Sequence, residues 1–311
     1  MSPDIVCAGE MLVEIMRDRP GITHAEQGLY RGPFASGAPA IFIDSAARMG
    51  APVNMSTGFI GVTGKDAFGN VIISKLERDG VDASQVRVDP DHATGVAFVQ
   101  YNEDGSRKFI FSKGAAGLLH PDDIKTTFMK DTKVFHVMGS ALSISTSSKN
   151  AVLKAVDLTL NAGGFISFDP NLRVEMMPLD EILDTCKPVI EKTRVLLPSG
   201  EEASMLTGDD DPMMACETLL QEGPEIIVLK QGKDGCTVFT SEGTTRVPGF
   251  SVEETDPTGA GDTFGGAFIV ELLQGVPPVD GARFANAAGA LKVTHFGPMS
   301  DDARDDVLSM L

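Results

Sequence analysis

The chain contains no tryptophan and only two tyrosines, Tyr30 and Tyr101, among 311 residues. Its four cysteines, Cys7, Cys186, Cys216 and Cys236, are scattered and form no CxxC pair. That usage argues against a disulfide framework and fits a reducing cytoplasm. The five histidines, at 24, 92, 120, 136 and 295, show neither HExxH nor HxH spacing, which argues against a His/Cys zinc site. No run approaches the roughly 18 apolar residues of a membrane span. The first stretch carries Asp4, Glu10 and Glu14 among its apolar residues, unlike a secretory leader. Positive charge is scarce: 26 Lys and Arg face 44 Asp and Glu, a net charge of −18. Such a surface disfavours nucleic acid and anionic membranes. An anionic substrate then needs a local electropositive pocket or a bound cation.

What is present is an alternation of short apolar runs and longer segments of helical period. Strands are expected at residues 5–8, 53–60, 134–138, 165–169, 195–198 and 226–230. Helices are expected at 38–49, 66–79 (closed by Gly80), 145–162, 179–192 and 212–221. This pattern predicts an α/β fold with a largely parallel sheet, whose ligands bind beyond the carboxyl ends of the strands. One segment departs from it. Residues 94–101 (TGVAFVQY) and 107–112 (RKFIFS) both alternate and flank the turn sequence NEDGS, predicting an inserted β-hairpin. The stretch 18–31 is polar and irregular, and together with the hairpin it suggests a small accessory sheet.

Two familiar nucleotide signatures fail. GFIGVTGKD (58–66) lacks the glycine and the Ser or Thr of a P-loop, having Phe59 and Asp66 there, and no GxGxxG follows the first strand. The informative stretch is DPTGAGDTFGGAF (256–268), which opens a helix predicted over about 259–274 and closed by Gly275 with Pro277 and Pro278. Asp256-Pro257 reads as an N-cap with proline at the first helical position. The glycines leave the first backbone N–H groups sterically open, and a bare helix N-terminus is an anion site. Asp262 falls in the first turn, where the helix dipole favours its ionised form. An ionised carboxylate beside a phosphate-binding turn suits a general base that takes a proton from an attacking hydroxyl. Capping alone accounts for the same residues, and the residues by themselves leave both readings open.

DPTGAGDTFGGAF resembles the C-terminal signature of the PfkB/ribokinase family of carbohydrate kinases. CAGEMLVEI (7–15), SGAPA (36–40), GVTGKDAFG (61–69), FDPNLR (168–173), LLPSGEEASMLTG (196–208), VLKQGKDG (228–235) and FANAAGA (284–290) resemble further family segments in order and spacing. The resemblance implies a ribokinase-like three-layer fold over residues 1–311, with a small β-sheet lid formed by about 11–35 and 93–113. It implies an ATP-dependent sugar kinase in which Asp262 is the catalytic base and Gly259, Ala260 and Gly261 form the anion hole. Lys230, Gly232, Gly235, Asn286 and Ser199 would contact ATP. Glu14, Gly37, Ala38, Phe111 and Arg173 would face the sugar. Glu202 would act near Mg2+ through water, and Asp256 with Thr258 would belong to a monovalent-cation site of the K+ type. A cytoplasmic enzyme, with a homodimer through the lid, is implied in the same way.

Departures from the family pattern cluster on the sugar side. Ser36 replaces the first glycine of the GGxxxN signature and Ile41 its asparagine, and an apolar side chain cannot bond a sugar hydroxyl. Glu14 replaces an aspartate, Ser199 the asparagine of N-x-x-E, Gly139 a glutamate, and Ser112 an arginine, with Lys113 adjacent. The reaction class is therefore better specified than the acceptor, which is expected to be a small sugar, ketose or 2-keto-3-deoxy sugar acid. The competing activities are 2-keto-3-deoxygluconate kinase and fructokinase or tagatose kinase; a non-catalytic sugar-binding regulator is the alternative of a different class.

Overall fold

Period-two burial sets the frame. In the strand Ile5–Ala8 (β1), Ile5 and Cys7 join one apolar core while Val6 and Ala8 join another. A strand buried on both faces belongs in the middle of an α/β sheet. The computed structural model describes residues 2–311 and places β1 there.

In chain order the remaining strands are β2 (Leu12–Arg17), β3 (Tyr30–Ser36), β4 (Thr57–Gly64), β5 (Val81–Asp89), β6 (Gly95–Tyr101) and β7 (Arg107–Ser112). They continue with β8 (Val134–Met138), β9 (Phe165–Asp169), β10 (Thr193–Leu196), β11 (Ile226–Lys230), β12 (Gly235–Thr240) and β13 (Gly243–Pro248). The main sheet has nine strands in the order β13-β12-β11-β10-β9-β8-β1-β4-β5. All pairings from β11 to β5 are parallel, and only the β11–β12 and β12–β13 pairings are antiparallel. Helices Ala38–Gly50, Ala67–Arg78, Ala260–Leu273 and Pro278–Val293 cover the face of Ile5 and Cys7. Helices Thr146–Asn161, Leu179–Ile190 and Pro212–Leu220 cover the other. Helix Ala260–Leu273 packs tightly on Ala38–Gly50: a β-carbon on Gly266 would lie 2.5 Å from the Phe42 carbonyl oxygen. That close fit anchors the helix whose first turn forms the site.

The second sheet has four strands, β3-β2-β6-β7. Its ends are tied to the main body by Asp66, which caps helix Ala67–Arg78 through the Gly69 N–H at 2.9 Å and accepts the Thr94 N–H at 2.7 Å. Among the described residues, no helix is long and apolar enough to cross a membrane.

The structure moves several expected boundaries. The strand expected at 53–60 runs Thr57–Gly64, because Ala51–Val53 is a turn of 3-10 helix started by Pro52. The strand expected at 195–198 runs Thr193–Leu196, and the helix expected at 179–192 ends at Ile190. The stretch 18–31 is irregular as far as Leu29, after which β3 begins. Strands β5, β12 and β13 and helix Pro278–Val293 were not anticipated, whereas β2 and β3 fall within the stretch 11–35 expected to help form the small sheet. β13 is exposed except at Val247, so it carries almost no hydrophobic pattern, and Pro278–Val293 has five alanines and two glycines among its 16 residues, which blurs its apolar stripe.

Candidate active site

Parallel strands aim their carboxyl ends at one edge of the sheet. Glu10 follows β1, Ser140 follows β8, Asp169 ends β9, Ser199 follows β10 and Lys230 ends β11. These five residues line one cavity of about 640 Å³. The small sheet walls its far side with Leu12 and Glu14 from β2 and Arg107, Phe109 and Phe111 from β7. A second cavity, of about 610 Å³, lies between the β12–β13 edge and helices Ala260–Leu273 and Pro278–Val293. Both volumes suit a small ligand. The two cavities share Lys230, Gly232, Pro257 and Gly261, so they meet at the start of helix Ala260–Leu273.

That start is built differently from the expected cap. The capping residue is Gly259, left-handed at φ 81°, with no side-chain acceptor on the helix. A β-carbon there would also collide with the Pro298 carbonyl. Asp256 is not the cap. It is buried beneath the turn, where its Oδ1 accepts the Thr258 N–H and the Tyr101 hydroxyl, each at 3.0 Å, and its Oδ2 accepts the Gly297 N–H at 2.8 Å. With the carboxylate drawn downward, the helix N-terminus stays open to the cavities. The Ala260 N–H turns back to the Pro257 carbonyl at 3.3 Å, leaving Gly261 and Asp262 to present the first outward N–H groups.

The residues expected at the site fall into three places. Glu14, Gly37, Ala38, Phe111, Arg173 and Asp262 line the larger cavity, as do Ser199, Glu202, Thr258 and Gly259. Gly235, Ala260 and Asn286 line the smaller one. Asp256 lines neither. Asn286 donates from Nδ2 to the Val247 and Pro248 carbonyls at 3.2 and 3.3 Å, so its side chain braces β13 as well as facing the cavity. Glu202 spends both oxygens on backbone N–H groups, those of Leu172 at 3.0 Å and Ser199 at 2.7 Å.

The electrostatics are dominated by desolvated acids. Burial pushes the Asp262 carboxyl up, and Lys230, Arg173 and Arg107 draw it back toward the ionised form. Lys230 forms a buried ion pair with Asp169. Burial raises the Asp169 carboxyl to about 7, whereas on Lys230 the combined attraction of Asp169, Glu202 and Asp262 outweighs the burial penalty and raises the ammonium above its ordinary value.

Two further acids sit deeper. Ser140 donates to Glu10 Oε1 at 2.5 Å and Ser36 donates to Glu14 Oε1 at 2.6 Å. Oε2 of each is buried without a partner. Burial pushes both carboxyls up to about 7. A buried, half-satisfied carboxyl oxygen costs free energy unless a ligand completes it, and both residues line the larger cavity. Glu10, Asp169, Ser140, Arg107 and Phe109 were missed in the sequence. An acid inside an apolar strand run was the available signal for the first two.

Among the described residues, no group of three or more His, Cys, Asp or Glu side chains could hold a metal ion. The side-chain oxygens of Asp256 and Thr258 already accept protein donors: Thr258 Oγ1 takes the Arg107 guanidinium at 3.1 Å.

Residues 2–304 match the family model described as pfkB family carbohydrate kinase. The chain is 32% identical over 308 residues to the Arabidopsis thaliana protein named Probable fructokinase-5, covering 95% of this chain and 93% of that one. A crystal structure of a candidate ribokinase II from E.coli, in complex with ATP and Mg+2, superposes with a TM-score of 0.92 at 39% identity, covering 100% of this chain and 99% of that one. Fructokinase from Vibrio cholerae O395 in its fructose, ADP and calcium ion bound form superposes with a TM-score of 0.87 at 28% identity, covering 100% of both chains.

Proposed function

The chain belongs to the pfkB family of carbohydrate kinases, and from that premise we propose that it transfers the γ-phosphoryl group of ATP to a primary hydroxyl of a small ketose or sugar acid. The observation that carries this reading is the meeting of two ligand-sized cavities at one open helix N-terminus with a carboxylate in its first turn. The adenosine part of ATP occupies the smaller cavity beside Gly235 and Asn286, and the phosphates cross at Gly232 and Lys230. The Gly259–Asp262 turn offers N–H groups to the transferring group, whose charge the helix dipole also favours. Asp262 accepts the proton of the attacking hydroxyl. Lys230, held charged by Asp169, Glu202 and Asp262 together, neutralises phosphate charge on the sheet side.

Mg2+ enters with the nucleotide. Among the described residues no protein cage is formed for it, and Glu202, whose oxygens are engaged with backbone, reaches it only through water. When bound, the ion neutralises the polyphosphate. In the larger cavity, Glu10 and Glu14 receive sugar hydroxyls on their unpartnered oxygens. The small sheet acts as a lid that excludes water, the competing phosphoryl acceptor. A cytoplasmic setting agrees with four free, buried cysteines. A homodimer through the small sheet completes the proposal.

Fructokinase relatives support a ketohexose. A sugar acid is favoured by a separate observation: Arg107 and Arg173 both line the acceptor cavity and lie 5.8 and 6.0 Å from the Phe109 ring centroid. ADP release is measured over fructose, tagatose, ribose and 2-keto-3-deoxygluconate with Mg2+. Stimulation by one of them is expected, and a flat response across the panel would reject the reading.

A further inference from the structure

Lys292 is fully buried near the end of helix Pro278–Val293. Its Nζ donates to the Asp256 carbonyl at 2.9 Å and to the His295 carbonyl at 3.4 Å. An ammonium with no exposed surface is rare unless it balances charge or replaces something that would. Two carbonyl acceptors meet it there, and a carbonyl can only accept, so the site is built for a donor that carries positive charge. Around it, Val293 O accepts the N–H groups of Thr255 and Asp256 at 2.7 and 3.0 Å, and Asp256 Oδ2 accepts the Gly297 N–H. The resulting clamp joins residues 255–258 to 293–297 directly beneath Gly259. Carbonyl oxygens facing one buried cation, with a carboxylate alongside, are the surroundings of a bound monovalent ion. Here the cation is covalently part of the chain.

We propose that the Lys292 ammonium occupies the place expected for a monovalent cation next to Asp256 and Thr258, making it a positioning residue for the Gly259–Asp262 turn and the enzyme independent of K+. A free K+ would have to share the Asp256 carbonyl with a fixed positive charge, and Arg107 already sits on Thr258 Oγ1. Both effects oppose its binding. The proposal rests on reading Gly259–Asp262 as the phosphoryl-transfer turn, and its consequences for ion binding do not.

The test compares wild type, Lys292→Ala and Lys292→Met in potassium, ammonium and choline chloride at equal ionic strength. Melting temperature and sugar-dependent ADP release are both read. Wild type should change rate less than about twofold between the salts and show no K+-specific gain in melting temperature. Lys292→Ala opens a cation-sized space lined by the two carbonyls. Its rate should fall about 10²-fold in choline and recover about tenfold in K+ or ammonium, with a matching rise in melting temperature. Lys292→Met fills the space without charge and should lose rate with no ion rescue. A purely structural lysine would give the same loss in both variants and no response to ions, which would overturn the proposal. K+ stimulation of wild type beyond about twofold would overturn it as well, even if neither variant folds. If no sugar supports turnover, the kinase reading fails while the melting data still decide the role of Lys292.

Discussion

Substituting Glu10→Gln removes a charge from an enclosed strand end without changing its shape. Glu10 is 3% exposed; its Oε1 accepts from Ser140 and its Oε2 has no partner. Burial lifts its carboxyl from 4.5 to about 7, a difference of about 2.5 units, or about 3 kcal/mol at 1.36 kcal/mol per unit. Because the folded value is the higher one, the folded state keeps the proton longer. The stability Glu10 contributes is complete below pH 4.5 and is lost as pH rises toward 7. Glutamine is uncharged throughout and keeps the oxygen that Ser140 needs. The variant should therefore match wild type near pH 4 and exceed it by about 3 kcal/mol at pH 8. For 311 residues the unfolding entropy is about 0.65 kcal/mol/K, so the gap at pH 8 corresponds to about 5 °C in melting temperature. The same change removes a charged acceptor for a sugar hydroxyl, which should raise the sugar KM about tenfold or more. Thermal melts at pH 5, 6, 7 and 8 with sugar titrations read both effects. A stability difference that does not grow with pH would refute the burial argument, and an unchanged sugar KM would refute the binding role.

Other consequences are open to the same assays. Asp262→Asn should lower kcat about 10²–10⁴-fold with ATP KM and melting temperature near wild type; near-normal turnover would reject Asp262 as the base. Gly259→Ala forces a side chain into φ 81° and against Pro298, so it should lose about 1–3 kcal/mol of stability along with turnover; a fully active, equally stable variant would show that the turn tolerates a shift. Arg107→Ala and Arg173→Ala should each raise the KM of an anionic sugar about tenfold or more while leaving a neutral ketose within about threefold; equal losses on both would argue that the arginines hold the turn and the lid instead.

The α/β class, the hairpin and the phosphoryl-side motif were legible because each is a local pattern. The short apolar runs of β1 and β11, a helix ended by Gly275, and three glycines around an acidic first turn all lie within a few residues. Less was legible where pattern was weak. β13 turns nearly all its side chains to solvent, and Pro278–Val293 reads as small residues and not as an amphipathic helix. The assignment of Asp256 as the cap failed for a different reason. A cap is a local inference, whereas this carboxylate is claimed by Tyr101 at the end of β6 and Gly297 in the loop after Pro278–Val293, both far along the chain.

By itself, then, the sequence determined the fold class and the chemistry of one turn, because secondary-structure period, glycine conformation and capping act over neighbouring residues. Only the tertiary structure decided which groups meet around that turn. Ser140 reaches Glu10 across 130 residues, Lys230 reaches Asp169 across 61, and Lys292 closes on Asp256 across 36. Burial, which sets the charge state of every one of these acids and amines, is a property of the packed chain, because the dielectric around a residue is supplied by segments it is not adjacent to.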